Sequence, residues 1–410
     1  MSGAPSLSPE PLPAAPGSCA GGDRVRVLLV VSSLCYGGAE RQVVELANTL
    51  DPQRFDVHVC SLSRYNPLGA TLRDRERRLH VIEKQNKWDA TVVARLVRLL
   101  RRFEIDVVQG YLFDAEIASA VAGLVARTRV VVGSERNSSH EWKRWSLVAY
   151  WLTRRCVDLV IANSHAGAAF NSRALGRDPA IYRVVHNGVD VQRFTPCDGV
   201  PVRQALGLGT GEYVVGMFAS FKPQKNHALA FRVMTRLLAR APSARLLLLG
   251  DSETKQTTDG HKQQMMNLIK RLGLEQRCVV LGNRDDVEQI YPACDVTLLT
   301  SLFEGTPNVL LESMASGIPV VSTAAGDAAL VAPDGEVGFV VPLGDEAALA
   351  DRLCQLHGDP TLRQRLGRQA RRWVEQEFTA SRFAEKTGRV FSEALQARRA
   401  RHAPIEAGRG

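Results

Sequence analysis

The 410-residue chain has no Cys-x-x-Cys pair: its eight cysteines, Cys19, Cys35, Cys60, Cys156, Cys197, Cys278, Cys294 and Cys354, lie scattered. A zinc site of paired thiolates and a dense disulfide framework are both excluded on that pattern, and a reducing cytoplasm fits it. No apolar run approaches the ~20 residues needed to span a bilayer. The longest, at 115–126 and 146–153, are short and flanked by charge. The opening stretch is rich in Pro, Ala, Ser and Gly but lacks a basic start, so residues 1–23 read as a disordered leader rather than a signal peptide. Helix-turn-helix, RNA-binding and zinc-finger signatures are missing too, which argues against a nucleic-acid partner.

What is present is an ordinary globular composition, 45 % hydrophobic and 23 % charged, on a length that suits two domains. The net charge of +9 is unevenly placed: residues 24–193 carry 26 Lys and Arg against 17 Asp and Glu. An anionic membrane surface, a phosphate-bearing ligand and plainly solvated arginine-rich helices each account for that excess.

Short apolar runs alternate with amphipathic segments. Strands are expected at 25–33, 55–62, 105–111, 129–133, 158–162 and 182–185, and a helix at 39–50 places Val43, Val44, Ala47 and Leu50 on one face. A seam with Pro196, Pro201 and four glycines follows. The rhythm then restarts with strands at 213–219, 244–249, 278–281, 295–300, 318–322 and 337–341. Continuous apolar strands interleaved with helices predict parallel sheets buried on both faces. The fold class is therefore α/β, with two doubly wound Rossmann-like domains: residues 24–195 and 213–377, joined by a linker at 196–212. Helices at 346–356, 362–377 and 380–397 close the chain before a basic tail at 398–410.

The stretch from Asp295 to Thr323, DVTLLTSLFEGTPNVLLESMASGIPVVST, carries the most chemistry. Glu304 falls just past a parallel strand, where open α/β sheets bind ligands. Thr306 and Pro307 suit the cap and first position of a helix that holds Glu312 and ends at Gly317. Two carboxylates beside the free N–H groups of Asn308 and Val309 suit a ligand that is both polyhydroxylated and phosphorylated. In the first half, Gly37-Gly38-Ala39-Glu40-Arg41 opens a helix after the first strand, and paired glycines let a phosphate approach backbone N–H groups.

The Glu304-to-Glu312 string resembles the signature of the retaining nucleotide-sugar glycosyltransferases of the GT-B fold, glycosyltransferase family 4 (group 1 glycosyl transferases), over about residues 25–397. That resemblance implies roles. Glu304 contacts the donor hexose hydroxyls and Glu312 the ribose. GMFASFKPQKNH, 216–227, is similar to the family's phosphate-binding loop, with Lys225 neutralising the diphosphate. Ser220 stands where the family has an arginine, and Lys222 is the candidate substitute. Gly37 and Gly38 face the cleft, Asn283 and Arg284 sit where the base is held, and Gly326-Asp327 replaces the commoner Gly-Gly of a loop facing the diphosphate. The segment 186–190, His-Asn-Gly-Val-Asp, resembles the family's turn near the hinge and reads as mainly structural. The family's first-domain histidine is displaced here, leaving Arg136 and Asn137 as acceptor-side candidates. The final helix is expected to cross back onto the first domain.

The implied activity is transfer of a hexose or N-acetylhexosamine from a nucleotide diphosphate sugar, a UDP-sugar first, to an acceptor hydroxyl with retention, in polysaccharide or glycolipid assembly. Lys225 and Glu304 are the catalytic candidates. No Asp-x-Asp occurs anywhere, so neither a metal clamp nor a cofactor is expected. The partners are the donor, a glycan or lipid-linked acceptor and, as an added candidate, an anionic membrane. Trp142, Lys143, Arg144, Trp145, Tyr150, Trp151, Arg154 and Arg155 interleave aromatic and basic side chains in the way headgroup-level segments do, the alternative being tryptophans buried in the core. A cytoplasmic protein, peripheral on the inner face of the plasma membrane, follows from that reading. A sugar-nucleotide epimerase and a binding module without transfer remain the alternatives.

Overall fold

The computed structural model describes residues 24–86, 89–136, 144–251 and 259–402, so the leader, Asn137, Trp142, Lys143 and the end of the tail lie outside the described residues. Thirteen strands form two wholly parallel sheets. The first holds β1 (Val25–Val31), β2 (Phe55–Ser61), β3 (Leu79–Val81), β4 (Val107–Tyr111), β5 (Val130–Glu135), β6 (Leu159–Ala162) and β7 (Tyr182–Val184), in the order β3-β2-β1-β4-β5-β6-β7. The second holds β8 (Tyr213–Phe218), β9 (Ala244–Leu249), β10 (Cys278–Val280), β11 (Val296–Leu299), β12 (Val320–Thr323) and β13 (Gly338–Val341), in the order β10-β9-β8-β11-β12-β13. Helices cover both faces of each sheet and split its core in two. Val27, Leu29 and Val31 pack on one side of β1, for example, and Leu28 and Val30 on the other. Both sheets reverse their winding beside their first strand, at β1/β4 and at β8/β11, and ligand crevices form at such points.

Twelve of the strands lie where apolar runs place them. β3 was not anticipated, because a three-residue edge strand of Leu79, His80 and Val81 has no apolar run to announce it. The expected linker contains a helix, Val200–Ala205, pinned to the second domain by Arg203, which donates to Asp295 Oδ2 at 2.7 Å and to the Ala293 carbonyl at 2.8 Å.

The last helix runs Ala380–His402, so residues 398–402 of the expected tail are helical. Its Phe383, Phe391 and Leu395 are buried with Val27, Leu46, Phe55 and Val185 of the first domain. The Val189 N–H donates to the Phe378 carbonyl and the Ala380 N–H to the Val189 carbonyl, at 2.9 and 3.0 Å, where the chain crosses back. Among the described residues no helix is long and apolar enough to cross a membrane. The helix Arg144–Thr153 leaves Val148, Trp151 and Leu152 more than half exposed, and the Arg154 guanidinium sits 4.7 Å from the Trp151 ring centre. Trp151 is thus not a core residue; Trp145 is partly covered by an edge-on contact with Phe113.

Candidate functional site

The loops leaving β8 and β11 are stitched together, and that brings Lys225 to Glu304. Lys225 ends a short turn, Pro223–Lys225, after which Asn226 takes a left-handed backbone (φ 51°). The Thr300 hydroxyl donates to the carbonyls of Lys225 and Asn226 at 2.9 and 3.1 Å. Gln224 exchanges bonds with the next loop: its carbonyl accepts from the Leu302 N–H at 2.9 Å and its side chain donates to the Phe303 carbonyl at 2.7 Å. Lys225 Nζ then lies 2.5 Å from Glu304 Oε1, with the two side chains 20 % and 10 % exposed. A charge-assisted pair this far withdrawn from water is strong, and each partner is held where the other needs it.

Glu312 sits in the helix Asn308–Ala315 with both oxygens engaged. Oε2 accepts from the Tyr291 hydroxyl at 2.9 Å, and Oε1 accepts from Arg41 Nη1 of the first domain at 3.1 Å. Burial and then the Glu312 carboxylate push the Tyr291 phenol well above its ordinary range, so it stays a donor. Tyr291 is itself fixed by a stacked contact with Phe218, ring centres 3.9 Å apart. The helix does not start as expected. Pro307 occupies the cap position, and the Thr306 hydroxyl donates across the cleft to the Asn163 carbonyl instead of capping.

The remaining candidates divide. Asn308 is half-buried and faces the first domain: its Oδ1 accepts from Asn187 Nδ2 at 2.7 Å and its Nδ2 donates to the Gly38 carbonyl at 3.3 Å. Gly38 is therefore at the cleft, where a Cβ would meet Asn308 Nδ2 at 3.0 Å; at Gly37 a Cβ would overlap the Glu40 carboxylate. Val309 is half-buried against the second-domain core. Gly326 (φ 60°) lies so close to the carbonyls of Glu304 and Gly305 that a Cβ would be 2.3 Å from the former. Lys222 is half-buried at the start of the Lys225 turn.

Arg284 and Asn283 are exposed on the loop after β10, and Arg284 makes a two-pronged pair with Asp286 at 2.6 and 2.7 Å rather than pointing to the carboxylates. Arg136 stacks 4.6 Å over Tyr111 and donates to Ser134 Oγ and Asn187 Oδ1 at 3.1 and 3.3 Å. Its Nη2 is buried without a partner among the described residues.

The sequence reading gave no role to Arg41, Tyr291 or His165, read the turn with His186 as structural and set Asp327 on a loop facing the diphosphate; in the structure the side chains of His165, His186 and Asp327 come together, their ring-nitrogen and carboxylate atoms within 4.8 Å of one another. In that cluster Asp327 accepts hydrogen bonds from the first domain. Burial raises the Asp327 pKa, but the bonds from His186 and from the Ala166 and His165 N–H groups outweigh it and hold the carboxyl below its usual range. A cavity of about 620 Å³ lies elsewhere, at the opposite strand ends near Arg24, Phe55 and Thr379, and contains none of these groups.

Two family models match the chain: Glycosyltransferase Family 4 over residues 36–193 and Glycosyl transferases group 1 over residues 201–373. The chain is similar to UDP-Gal:alpha-D-GlcNAc-diphosphoundecaprenol alpha-1,3-galactosyltransferase of Escherichia coli, 28 % identical over 83 % of this chain and 89 % of that protein. It is also similar to N-acetyl-alpha-D-glucosaminyl L-malate synthase of Bacillus anthracis, 26 % identical over 58 % of this chain and 60 % of that one. Among solved structures, Anabaena HepE in complex with UDP-glucose superposes with a TM-score of 0.80 at 26 % identity, covering 90 % of this chain and all of that one. The two facing parallel-sheet domains are a GT-B fold.

Proposed function

The chain belongs to the group 1 glycosyltransferases of family 4, and from that premise we propose that it transfers a hexose or N-acetylhexosamine from a UDP-sugar to an acceptor hydroxyl with retention at the anomeric carbon. The observation that carries this reading is the Lys225–Glu304 pair, which stands with Glu312 at the carboxyl ends of β8 and β11, facing the glycine loop that follows β1. HepE, a structure with the same fold, holds UDP-glucose.

On this reading the donor lies across the crevice. Glu312 accepts hydrogen bonds from the ribose in place of Arg41, and Glu304 accepts from the hexose hydroxyls. Lys225 exchanges its bond to Glu304 for the diphosphate, which leaves as the acceptor oxygen attacks the same face of the sugar, its departing oxygen taking the acceptor's hydroxyl proton. Catalysis is then positioning plus neutralisation of the leaving diphosphate, without a protein nucleophile. No Asp-x-Asp is available to clamp a metal, so the reaction is read as metal-independent. Arg136, beside Asn187 on the first domain, is the acceptor-side candidate.

The acceptor is read as a glycan or lipid-linked sugar met at a membrane, in polysaccharide or glycolipid assembly on the cytoplasmic side. Two observations support this. Val148, Trp151 and Leu152 are exposed beside Arg144, Arg154 and Arg155, and the Escherichia coli relative is named for a diphosphoundecaprenol acceptor. Each Arg near an anionic surface is worth about 1 kcal/mol, so three give reversible docking. The activity is tested by UDP release from UDP-glucose, UDP-galactose and UDP-N-acetylglucosamine, wild type against Glu304→Gln. Release lost in the variant supports transfer. Tight donor binding with no release in wild type would replace it with a binding module.

A further inference from the structure

The loop after β12 carries Gly326-Asp327, and the aspartate reaches across the cleft. Asp327 is 3 % exposed on the loop after β12. Its Oδ2 accepts from the His165 N–H at 2.7 Å and from His186 Nε2 at 2.8 Å; its Oδ1 accepts from the Ala166 N–H at 3.0 Å. An ionised carboxylate has no proton to donate, so His186 carries its hydrogen on Nε2. The two backbone donors open the eleven-residue helix His165–Leu175 and have no partner within it. Ser164 caps only Gly167, at 3.0 Å, and Asp327 takes the donors that Ser164 leaves, with the helix dipole favouring its charge.

The same loop grips the segment that carries Glu304. Gly326 lies against the Glu304 and Gly305 carbonyls, and the Asp327 N–H donates to the Gly305 carbonyl at 3.2 Å. Gly305 in turn abuts Asn163 of the first domain, whose carbonyl takes the Thr306 hydroxyl. Residues 304–306 and 326–327 are thus one packed unit held to the first domain at several points. A glycine at 327 keeps the loop but none of the three bonds.

We propose that Asp327 is a positioning residue, a latch that closes the first domain onto the loop carrying Glu304 and holds that loop in register for the donor sugar. The catalytic half of the proposal rests on the donor-side reading of Glu304; the closure half does not.

The test uses the full chain and the variants Asp327→Gly, Asp327→Asn and His186→Gln, each checked for an intact melt. Small-angle scattering with and without UDP reads closure, and steady-state transfer from a UDP-sugar reads kcat separately from KM. Asp327→Gly and Asp327→Asn should both have a larger radius of gyration. Asn fails because its amide N–H₂ would face a backbone donor. Their kcat should fall ten- to a hundredfold, since a displacement of about 1 Å at a reacting centre costs on the order of 10² in rate, while UDP affinity changes far less. His186→Gln, which keeps an N–H toward Asp327, should stay compact and active. An unchanged radius in Asp327→Gly, or an enlarged one with wild-type kcat, overturns the latch. If wild type releases UDP from no donor, the functional reading falls while scattering still decides closure.

Discussion

Replacing Lys225 by alanine removes an ammonium 2.5 Å from Glu304 Oε1, and two separate losses follow. The first is stability. Breaking a fully buried ion pair costs about 3–5 kcal/mol, and an exposed one at most about 1. With the Lys225 side chain 20 % exposed and the Glu304 side chain 10 %, the loss should fall between, near 2 kcal/mol. At about 2–4 °C per kcal/mol for a domain of this size, the melting temperature drops by roughly 4–8 °C. The second is rate. Without the cation that the proposed reaction sets against the leaving diphosphate, turnover should fall on the order of 10²–10³-fold, about 2.7–4 kcal/mol of transition-state stabilisation. The two losses separate in Lys225→Ala/Glu304→Gln, where no carboxylate is left without its ammonium: the melt should recover most of its shift while activity stays lost. Calorimetric melts and UDP release measure both. A folded Lys225→Ala protein with near-normal turnover would refute the reasoning, and a double variant no more stable than the single one would refute the stability half.

Glu312→Ala should weaken binding of free UDP at least tenfold, because the ribose is common to donor and product, and should also lower the melt by leaving the Tyr291 hydroxyl buried without its acceptor, a cost of about 1–3 kcal/mol. Titration of UDP into a folded Glu312→Gln protein separates the two, and unchanged affinity there would make Glu312 structural. Phe391→Ala should cost about 3–5 kcal/mol by opening a cavity in the first-domain core, and truncation after Glu377 should destabilise that domain further; equal melts would show the last helix to be an appendage. Burial pushes the pKa values of His80 and His227 down to about 4. Unfolded histidines titrate near 6.5, so as pH falls the unfolded chain takes up protons first, and up to about 3 kcal/mol per histidine present above pH 6.5 is lost by pH 4. His227→Phe, filling the site stacked on Phe221, should make the fall in melting temperature between pH 7 and 4 shallower, and an unaltered slope would contradict the assignment. Anionic vesicles should co-sediment the protein at low salt and release it at high salt, and Trp151→Ser should weaken that binding; no binding at low salt ends the membrane reading.

The strands were legible because burial on both faces demands apolar runs, and such runs survive in the bare sequence. β3 was not, since an edge strand of three residues carries no such demand. Glu304 and Glu312 were legible because one strand-loop-helix unit fixes their spacing. The cross-cleft contacts of Arg41, His165, His186 and Asp327 were not. Arg41 lies 271 positions from Glu312, and His186 lies 141 from Asp327, so their pairing exists only once two separate domains face each other and no local period records it. The Asp327 departure from Gly-Gly was visible, but its direction was not. The resemblance sets this loop against the diphosphate and so predicts a side chain toward the donor, whereas the N-terminal N–H groups of the helix His165–Leu175 draw the carboxylate to the other domain. Arg284, on the loop that the resemblance assigns to the base, is paired locally with Asp286 two residues on, a contact that the sequence reading did not anticipate.

Isothermal titration of UDP into wild type, Lys225→Ala and Glu312→Ala addresses the donor site most directly, because it needs no acceptor and no knowledge of the sugar. Wild type should bind with a single site, and each variant, folded by its melt, should bind at least tenfold more weakly. Wild type that binds neither UDP nor GDP nor ADP, or variants that bind UDP as tightly as wild type, would contradict a nucleotide-sugar site built on Lys225, Glu304 and Glu312.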